Sequence, residues 1–344
     1  MKKLLSLVLC LVLMGVLFVG CASKKEAAPE GSTEEGASGE ELEETASSKT
    51  KGSNSIVLGY YGGTCECPLF IAYENGYFKE QGLDVKLTLV AQDTAMLVST
   101  NKIDAIMVTP GIFPGMAEGL DVKILDAAHT GCIQGATKAD SGINSPADLK
   151  GKRVGVAAEG DVPQLQLSEE MRQAGLDPTT DVEWIIYPDP QLEMALEKDE
   201  IDAFASWDPF TTMALENGYK LYFSTTTGDF FKHDICCFYA MNPKTLENNP
   251  ELGKKFIAAL SQAHEFITEN PEEAATIMLD KEYTVGEVDM TAKLLGDYEW
   301  VSNDKARDEE SIKKIISWCK DGGAISEDLD EEKFLKDYFV YSGK

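Results

Sequence analysis

Histidine and positive charge are scarce in this chain of 344 residues. Only 3 residues are His, so most metal sites and catalytic triads that depend on imidazole are hard to build. The 31 Lys and Arg residues are outnumbered by 59 Asp and Glu residues, which gives a net charge of −28. Such an acidic chain would be repelled by DNA, RNA and anionic lipid surfaces. The composition therefore argues against nucleic acid as a partner.

Several catalytic patterns are also missing from the sequence. It contains no recognisable Ser–His–Asp triad, no phosphate-binding glycine loop and no glycosidase carboxylate pair. The 8 Cys are too few for a disulfide-dense miniature fold, and a hydrophobic content of 43% is enough for a real core. The length indicates about two domains. We therefore expect a globular, non-enzymatic protein with no catalytic residues.

The N-terminus lacks a hydrophobic run long enough to span a bilayer, which needs about 20 apolar residues. Residues 1–3 (MKK) carry positive charge, residues 4–19 are almost wholly apolar, and a polar stretch follows. This layout is typical of a secretory signal peptide, which we predict over residues 1–20. Residues 18–21 (FVGC) resemble a bacterial lipobox. The resemblance implies lipidation at Cys21 and export to the outer face of the cytoplasmic membrane or to the periplasm.

Residues 21–54 are rich in Gly, Ser, Ala, Thr and Glu, and Leu42 is their only large apolar residue. Such a segment cannot form a core, so we predict a disordered acidic tether. From residue 56 onward, short apolar runs alternate with helical patterns, as in a parallel α/β sheet. Helix 68–78 is one predicted element. Residues 101–105 and 199–203 each contain Ile-Asp-Ala between a helix and a strand, which indicates two similar lobes.

Three motifs carry a resemblance to a known family. Residues 68–85 read PLFIAYENGYFKEQGLDV, residues 148–156 read DLKGKRVGV, and residues 196–203 form a helix-to-strand step. Together they resemble the SsuA-like (nitrate, sulfonate and taurine) and thiamine-pyrimidine-synthase-like substrate-binding proteins, which serve ABC importers. The resemblance spans residues 56 to about 242.

This resemblance implies a two-lobed periplasmic-binding-protein-like (type II) fold. Each lobe would be a doubly wound, mainly parallel α/β sheet, with the ligand cleft at the hinge. We expect residues 55–134 and 238–344 to form the first lobe and residues 135–237 to form the second. Ligands of open α/β sheets bind beyond the carboxyl ends of the strands.

The candidate ligand-binding residues lie in loops at these strand ends. They are Gly63, Thr64, Cys65, Glu66, Cys67, Gln92, Asp93, Thr94, Thr109, Pro110, His129, Cys132, Gly160, Asp161, Trp207, Asp208, Cys236 and Cys237. Asp93 and Asp161 could instead cap helices, and Trp207 could form a ligand wall or pack between the lobes. Because acidic residues outnumber basic ones here, a neutral or cationic ligand is favoured over nitrate or sulfonate.

Cysteines converge on the predicted hinge, and three interpretations stay open. Structural disulfides could join Cys65 or Cys67 to Cys132 or Cys236, since exported cysteines usually pair. A soft metal or thiol-reactive ligand could bind the cluster, or the thiols could be inert and buried. Residues 236–239 (CCFY) resemble the Cys-rich stretch of the thiamine-pyrimidine synthases, and we expect His233 near the hinge and Cys319 buried on a late helix. The candidate metal ligands are Cys65, Cys67, His129, Cys132, Cys236 and Cys237.

The resemblance implies a monomeric lipoprotein that delivers a small molecule to an ABC permease. The ligand would be a thiamine-pyrimidine precursor or a related neutral or cationic solute. The alternatives are a receptor for a thiol, soft metal or metal complex, and a nitrate, sulfonate or taurine binder. A pyrimidine synthase is the least favoured alternative. By resemblance it would need a cofactor Lys and a substrate His in the cleft and would normally be cytosolic, and the export signal argues against it. No cofactor is expected apart from that soft metal.

Overall fold

A computed structural model describes residues 52–90 and 94–344 of the chain. The predicted signal peptide, Cys21 and most of the tether lie outside the described residues, as do Gln92 and Asp93. Within the described ranges, no helix combines the length and the apolar character that crossing a membrane requires.

The first sheet has five strands in the order β2-β1-β3-β10-β4. Their bounds are β1 Ser55–Tyr60, β2 Asp84–Leu89, β3 Ala105–Val108, β4 Lys123–Thr130 and β10 Ile235–Met241. Strand β1 runs parallel to β2 and β3, whereas β10 runs antiparallel to β3 and β4. The apolar runs of β1 and β3 are buried, as expected for strands covered on both faces.

The second sheet repeats this plan with the order β7-β6-β8-β5-β9. Its strands are β5 Ile133–Thr137, β6 Lys152–Val156, β7 Val182–Ile186, β8 Ala203–Trp207 and β9 Lys220–Ser224. Strand β6 is parallel to β7 and β8, and β5 is antiparallel to β8 and β9. The two-lobed α/β fold is therefore confirmed. Each sheet is mixed, because the strand at which the chain arrives from the other sheet, β10 or β5, is antiparallel to both of its neighbours.

Thirteen α-helices in the described residues cover the sheets. In chain order, α1 to α7 are Cys67–Glu74, Tyr77–Glu80, Thr94–Ser99, Phe113–Ala117, Val162–Gln173, Asp189–Glu197 and Phe210–Glu216. Helices α8 to α13 are Pro243–Asn248, Leu252–Glu269, Pro271–Asp280, Val288–Asp297, Lys305–Asp321 and Glu331–Tyr338. Short 3₁₀ helices occupy Thr64–Glu66, Pro110–Ile112 and Pro146–Leu149.

The predicted helix 68–78 is in fact two helices, α1 and α2. Gly76 lies between them with φ of 81°, a left-handed conformation that suits glycine and ends the first helix. Helix α1 is buried against the C-terminal helices, where Phe70 stacks on Tyr283 with ring centroids 4.3 Å apart. Phe78 of α2 stacks on Phe256 of α9 at 5.5 Å. The helical C-terminal part thus completes the core around the first sheet.

Candidate functional site

The loop after β1 is held in shape by the carboxylate of Glu66. The backbone N–H groups of Tyr61, Gly62 and Gly63 donate hydrogen bonds of 2.8, 2.7 and 3.0 Å to its Oε2 atom. Burial raises the pKa of Glu66 to about 8, although these three bonds act in the opposite direction. Glu66 therefore stabilises its own loop and holds Gly63 and Thr64 toward the second sheet.

Asp161 has a similar internal role at the start of α5. Its Oδ1 accepts a 2.8 Å bond from the backbone N–H of Gln164, and its Oδ2 accepts 3.0 Å bonds from Ala157 and Ala158. These contacts make Asp161 the helix N-cap, the alternative left open by the sequence. Burial raises the pKa of Asp161 to about 6. The neighbouring Gly160 is exposed.

Asp208 is fully buried at the end of β8, and its carboxylate oxygens accept hydrogen bonds from protein side chains. Gln134 and Thr212 donate bonds of 2.8 and 2.7 Å to its Oδ1. The hydroxyl of Tyr298 donates a 2.9 Å bond to its Oδ2. Burial raises the pKa of Asp208 to about 6 against the effect of these bonds. Its carboxylate is thus engaged inside the protein.

Loops of the two sheets approach each other at three places. The backbone N–H of Thr64 donates a 3.3 Å bond to the carbonyl oxygen of Asp208. The ring of Tyr61 lies 6.0 Å from that of Trp207, tilted by 42°. In the turn that Pro110 begins, a methyl group added to Gly111 would lie 3.5 Å from the Gly160 carbonyl oxygen.

The predicted cleft residues occupy this region to different degrees. Thr109 and Trp207 are half-buried, whereas Thr64 is fully buried and its Oγ1 has no hydrogen-bond partner among the described residues. Thr94 begins α3, next to Gln92 and Asp93, which lie outside the described residues. The ligand-binding role of these residues stays a prediction.

Four of the candidate metal ligands come together at the hinge. One donor atom each from Cys65, His129, Cys132 and Cys237 lies within 4.8 Å of the other three. Cys65 follows β1, His129 is near the end of β4, Cys132 lies in the link between the sheets, and Cys237 is on β10. His129 and Cys237 are paired across the antiparallel β4–β10 ladder. The group therefore forms where the chain passes from the first sheet to the second, after β4, and where it returns to the first sheet on β10.

The other predicted ligands lie outside the group of four. Cys236 Sγ is 3.2 Å from Cys132 Sγ, and Cys67 is fully buried at the start of α1. His233, which was expected near the hinge cluster, is instead exposed and contacts Glu299 at 3.5 Å. All six cysteines in the described residues are free thiols, so this structure shows none of the disulfides considered from the sequence. Cys319 is buried, as expected.

The thiols and the imidazole influence each other's ionisation. A hydrogen bond from Cys132 lowers the pKa of Cys236 to about 6 and also lowers that of Cys237. Burial by itself would lower the pKa of His129, but the Cys237 and Cys65 sulfurs raise it well above its usual range. Burial instead raises the pKa of Cys132 well above its usual range, and the pKa of Cys65 is also raised. Thiolate character, the form in which cysteine binds metals and reacts with electrophiles, is therefore favoured at Cys236 and Cys237.

Two aromatic residues of the site are absent from the predicted set. Tyr61 was assigned only to the first strand, and its contact with Trp207 depends on how the lobes meet. Tyr298 follows α11, and its ring lies 5.5 Å from that of His129. No local pattern marks Tyr298, because its partner Asp208 is 90 residues away in the chain.

Comparison with known proteins identifies relatives of this fold. The family model described as "NMT1/THI5 like" matches residues 65–274. A Brucella abortus (strain 2308) protein, named only as a candidate binding protein, is 27% identical over 293 residues, covering 78% of this chain and 86% of that protein. The 4-amino-5-hydroxymethyl-2-methylpyrimidine phosphate synthase of Legionella pneumophila is 27% identical over 249 residues, covering 68% of this chain and 75% of the enzyme.

A solved structure shows the same architecture. The periplasmic nitrate-binding protein NrtA from Synechocystis aligns with a TM-score of 0.70 at 15% identity, covering 85% of this chain and 87% of that one. At this identity the similarity establishes the fold, and the family match extends over more than half of the chain. The relatives include both solute-binding proteins and a pyrimidine synthase. The chain described here belongs to the NMT1/THI5-like family.

Proposed function

We propose that this chain is an exported, lipid-anchored and non-catalytic receptor that captures a small solute between its lobes and delivers it to an ABC permease. The observation that carries the proposal is the junction of the two sheets, where Tyr61 and Trp207 approach each other from opposite sheets. Aromatic walls facing each other across a hinge are suited to a flat ligand that enters when the lobes separate. Lipidation at Cys21 and export remain part of the proposal, because Cys21 lies outside the described residues.

The charge of the cleft favours a neutral or cationic ligand. The loops 61–66, 109–111, 158–162 and 207–208 contain no Lys or Arg. In the sequence, Lys232 and Lys138 are the basic residues nearest to the predicted cleft. Lys232 is exposed. Lys138 bonds to Asp199, and Thr137 beside it pairs with Ala203 at the far end of β8. An anion such as nitrate or a sulfonate would find no basic side chain in these loops to balance its charge.

A flat aminopyrimidine is the solute class that fits these features best. Its ring can stack on Tyr61 or Trp207, and its polar edge can bond to the buried and unpartnered hydroxyl of Thr64. The same loops offer no Lys to hold a cofactor, which supports a receptor over a pyrimidine synthase.

Binding of 4-amino-5-hydroxymethyl-2-methylpyrimidine to the purified mature protein tests this proposal. Calorimetry should detect binding of the pyrimidine and none of nitrate or taurine. The variant Trp207→Ala should bind at least about tenfold more weakly, which corresponds to about 1.4 kcal/mol. Trp184→Phe is the matched control, because Trp184 lies on β7 and bonds to the Pro178 carbonyl away from the cleft. Binding of nitrate or taurine without the pyrimidine would contradict the proposed ligand class.

A further inference from the structure

We propose that Cys65, His129, Cys132 and Cys237 form a closed four-ligand site for a thiophilic metal ion, and that this ion is a resident part of the hinge. Three thiols and one imidazole match the Cys₃His set of structural Zn²⁺ sites. The ion is not the solute of the proposed function. The inference therefore stands whether or not the cleft binds a pyrimidine.

The distances suit a tetrahedral ion after a small contraction. Zn–S bonds of about 2.3 Å and Zn–N bonds of about 2.0 Å place the ligand atoms of a tetrahedral site about 3.5–3.8 Å apart. The four donor atoms already lie within 4.8 Å of one another without an ion. Completing the site therefore requires the donor atoms to move together by only about 1 Å.

The imidazole of His129 is oriented as a metal ligand is. Its Nδ1 lies 3.1 Å from the carbonyl oxygen of Thr130, which suits a donated Nδ1–H bond. Its Nε2 is buried and has no hydrogen-bond partner in the described part of the chain. Metal-binding histidines commonly donate one ring N–H to a backbone carbonyl, which leaves the other nitrogen's lone pair for the ion. A buried ring nitrogen without a partner is costly unless something binds it.

Burial indicates that the ion stays in the protein. Cys65, His129, Cys132 and Cys237 are 8%, 0%, 2% and 2% exposed. Structural zinc sites are closed in this way, whereas sites that exchange a ligand keep an open position.

The position of the site gives the ion a mechanical role. Strand β4 leads through Gly131 and Cys132 into β5 of the second sheet, and β10 returns from the second sheet to the first. Cys65 belongs to the loop whose Thr64 touches Asp208. An ion bound here connects both crossovers and that loop, and so restricts the hinge.

Cys236 provides the main competing chemistry. Its sulfur lies 3.2 Å from that of Cys132, so oxidation could join these two residues and remove one proposed ligand. Formation of that disulfide would release two protons and two electrons to an external oxidant. A metal site and this disulfide exclude each other at Cys132, which makes the two alternatives distinguishable by mass.

The test is metal analysis and native mass spectrometry of the mature protein, purified under reducing conditions and loaded with Zn²⁺. We expect one Zn²⁺ per chain, retained against excess Mg²⁺, and sulfur-to-metal charge-transfer absorption when Co²⁺ replaces it. Cys65→Ser, Cys237→Ser and His129→Gln should each weaken Zn²⁺ binding at least about 100-fold. Cys319→Ser is the control, because Cys319 is a buried thiol on α12 outside the group, and this variant should retain the ion.

Folding of each variant is checked by circular dichroism and by urea denaturation, so that loss of the metal is separated from loss of structure. Tight binding of Cu(I) in place of Zn²⁺ through the same four residues would support the site and correct the ion. Failure of the folded wild-type protein to retain either ion would overturn the proposal. A mass two hydrogens lower, with Cys132 joined to Cys236, would also overturn it.

Discussion

The hydroxyl of Tyr298 donates a 2.9 Å hydrogen bond to Asp208, which connects the segment after α11 to the end of β8 in the second sheet. Both side chains are buried, at 5% and 0% exposure. Hydrogen bonds to ionised groups contribute more to stability than neutral ones, about 1.5–3 kcal/mol. This bond therefore has the position and the strength to hold the C-terminal part against the second lobe.

We expect Tyr298→Phe to lower the free energy of unfolding by about 1.5–3 kcal/mol, because Asp208 loses one donor while it stays buried. Urea denaturation monitored by tryptophan fluorescence measures this change. Tyr187→Phe is the control, since it removes an exposed 2.8 Å bond to Glu200 and should change stability by less than about 0.5 kcal/mol. Equal effects of the two variants would contradict the role assigned to Tyr298.

The carboxyl groups of Asp126 and Asp308 interact in the core between β4 and α12. Burial, and then the neighbouring Asp126, raise the pKa of Asp308 to about 9. In the unfolded state an Asp has a pKa of about 3.9. A group whose pKa is higher in the folded state than in the unfolded state stabilises the fold at low pH and loses that effect as pH rises. The free energy of unfolding should therefore carry a component that declines between about pH 4 and pH 9.

Asp308→Asn should remove that declining component, so the variant should gain stability relative to the wild type as pH rises. Urea midpoints measured at intervals from pH 5 to pH 9 test this expectation. Asp229→Asn, at an exposed position, is the control and should leave the pH profile unchanged. Parallel pH profiles for the wild type and Asp308→Asn would show that the pair does not titrate in this range.

Phe256 on α9 packs between two aromatic residues of the first lobe, Phe78 and Tyr239. Its ring lies 5.5 Å from Phe78 and 6.3 Å from Tyr239. Phe256→Ala should cost about 3–5 kcal/mol, because it leaves a cavity where the C-terminal helices join the sheet. Phe230→Ala, at a position 36% exposed, should cost less than half as much in the same denaturation assay. A similar cost at both positions would mean that α9 is not part of the core.

The proposed lipid anchor is tested at Cys21. Cys21→Ala should abolish incorporation of labelled palmitate and leave unprocessed precursor or release the protein from membranes. Cys10→Ala is the matched control, since Cys10 lies within the apolar part of the predicted signal and should leave labelling intact. Labelling that persists in Cys21→Ala would rule out this anchor.

Sequence motifs, and the family resemblance they carry, were enough to predict the two-lobed class of fold and many of its helices and parallel strands. Apolar runs such as those of β1 and β3 are recognisable because burial on both faces leaves a local, continuous hydrophobic signal. The helix that begins near Pro68 was recognisable from local spacing, although the break at Gly76 was not. The convergence of cysteines on the hinge also followed from where strands were expected to end.

Three strands, β5, β9 and β10, were not predicted from the sequence. Strands β5 and β10 are the antiparallel strands at which the chain passes from one sheet to the other, and β9 is the edge strand that pairs with β5. His129 and Cys237 were predicted to lie in loops at strand ends, whereas His129 lies on β4 and Cys237 on β10. An alternation of helix and strand predicts parallel pairing, and it holds no information on strands that join one sheet to another.

Which of the cysteines share a site could not be predicted from local sequence. Cys65 and Cys237 are brought together by the order of strands in the first sheet, and the β4–β10 register places His129 beside Cys237. The adjacent Cys67 and Cys236, equally plausible in the sequence, lie outside the group. Local periodicity reports that a residue is buried, but its partners are chosen by strand order and register over separations of a hundred residues or more.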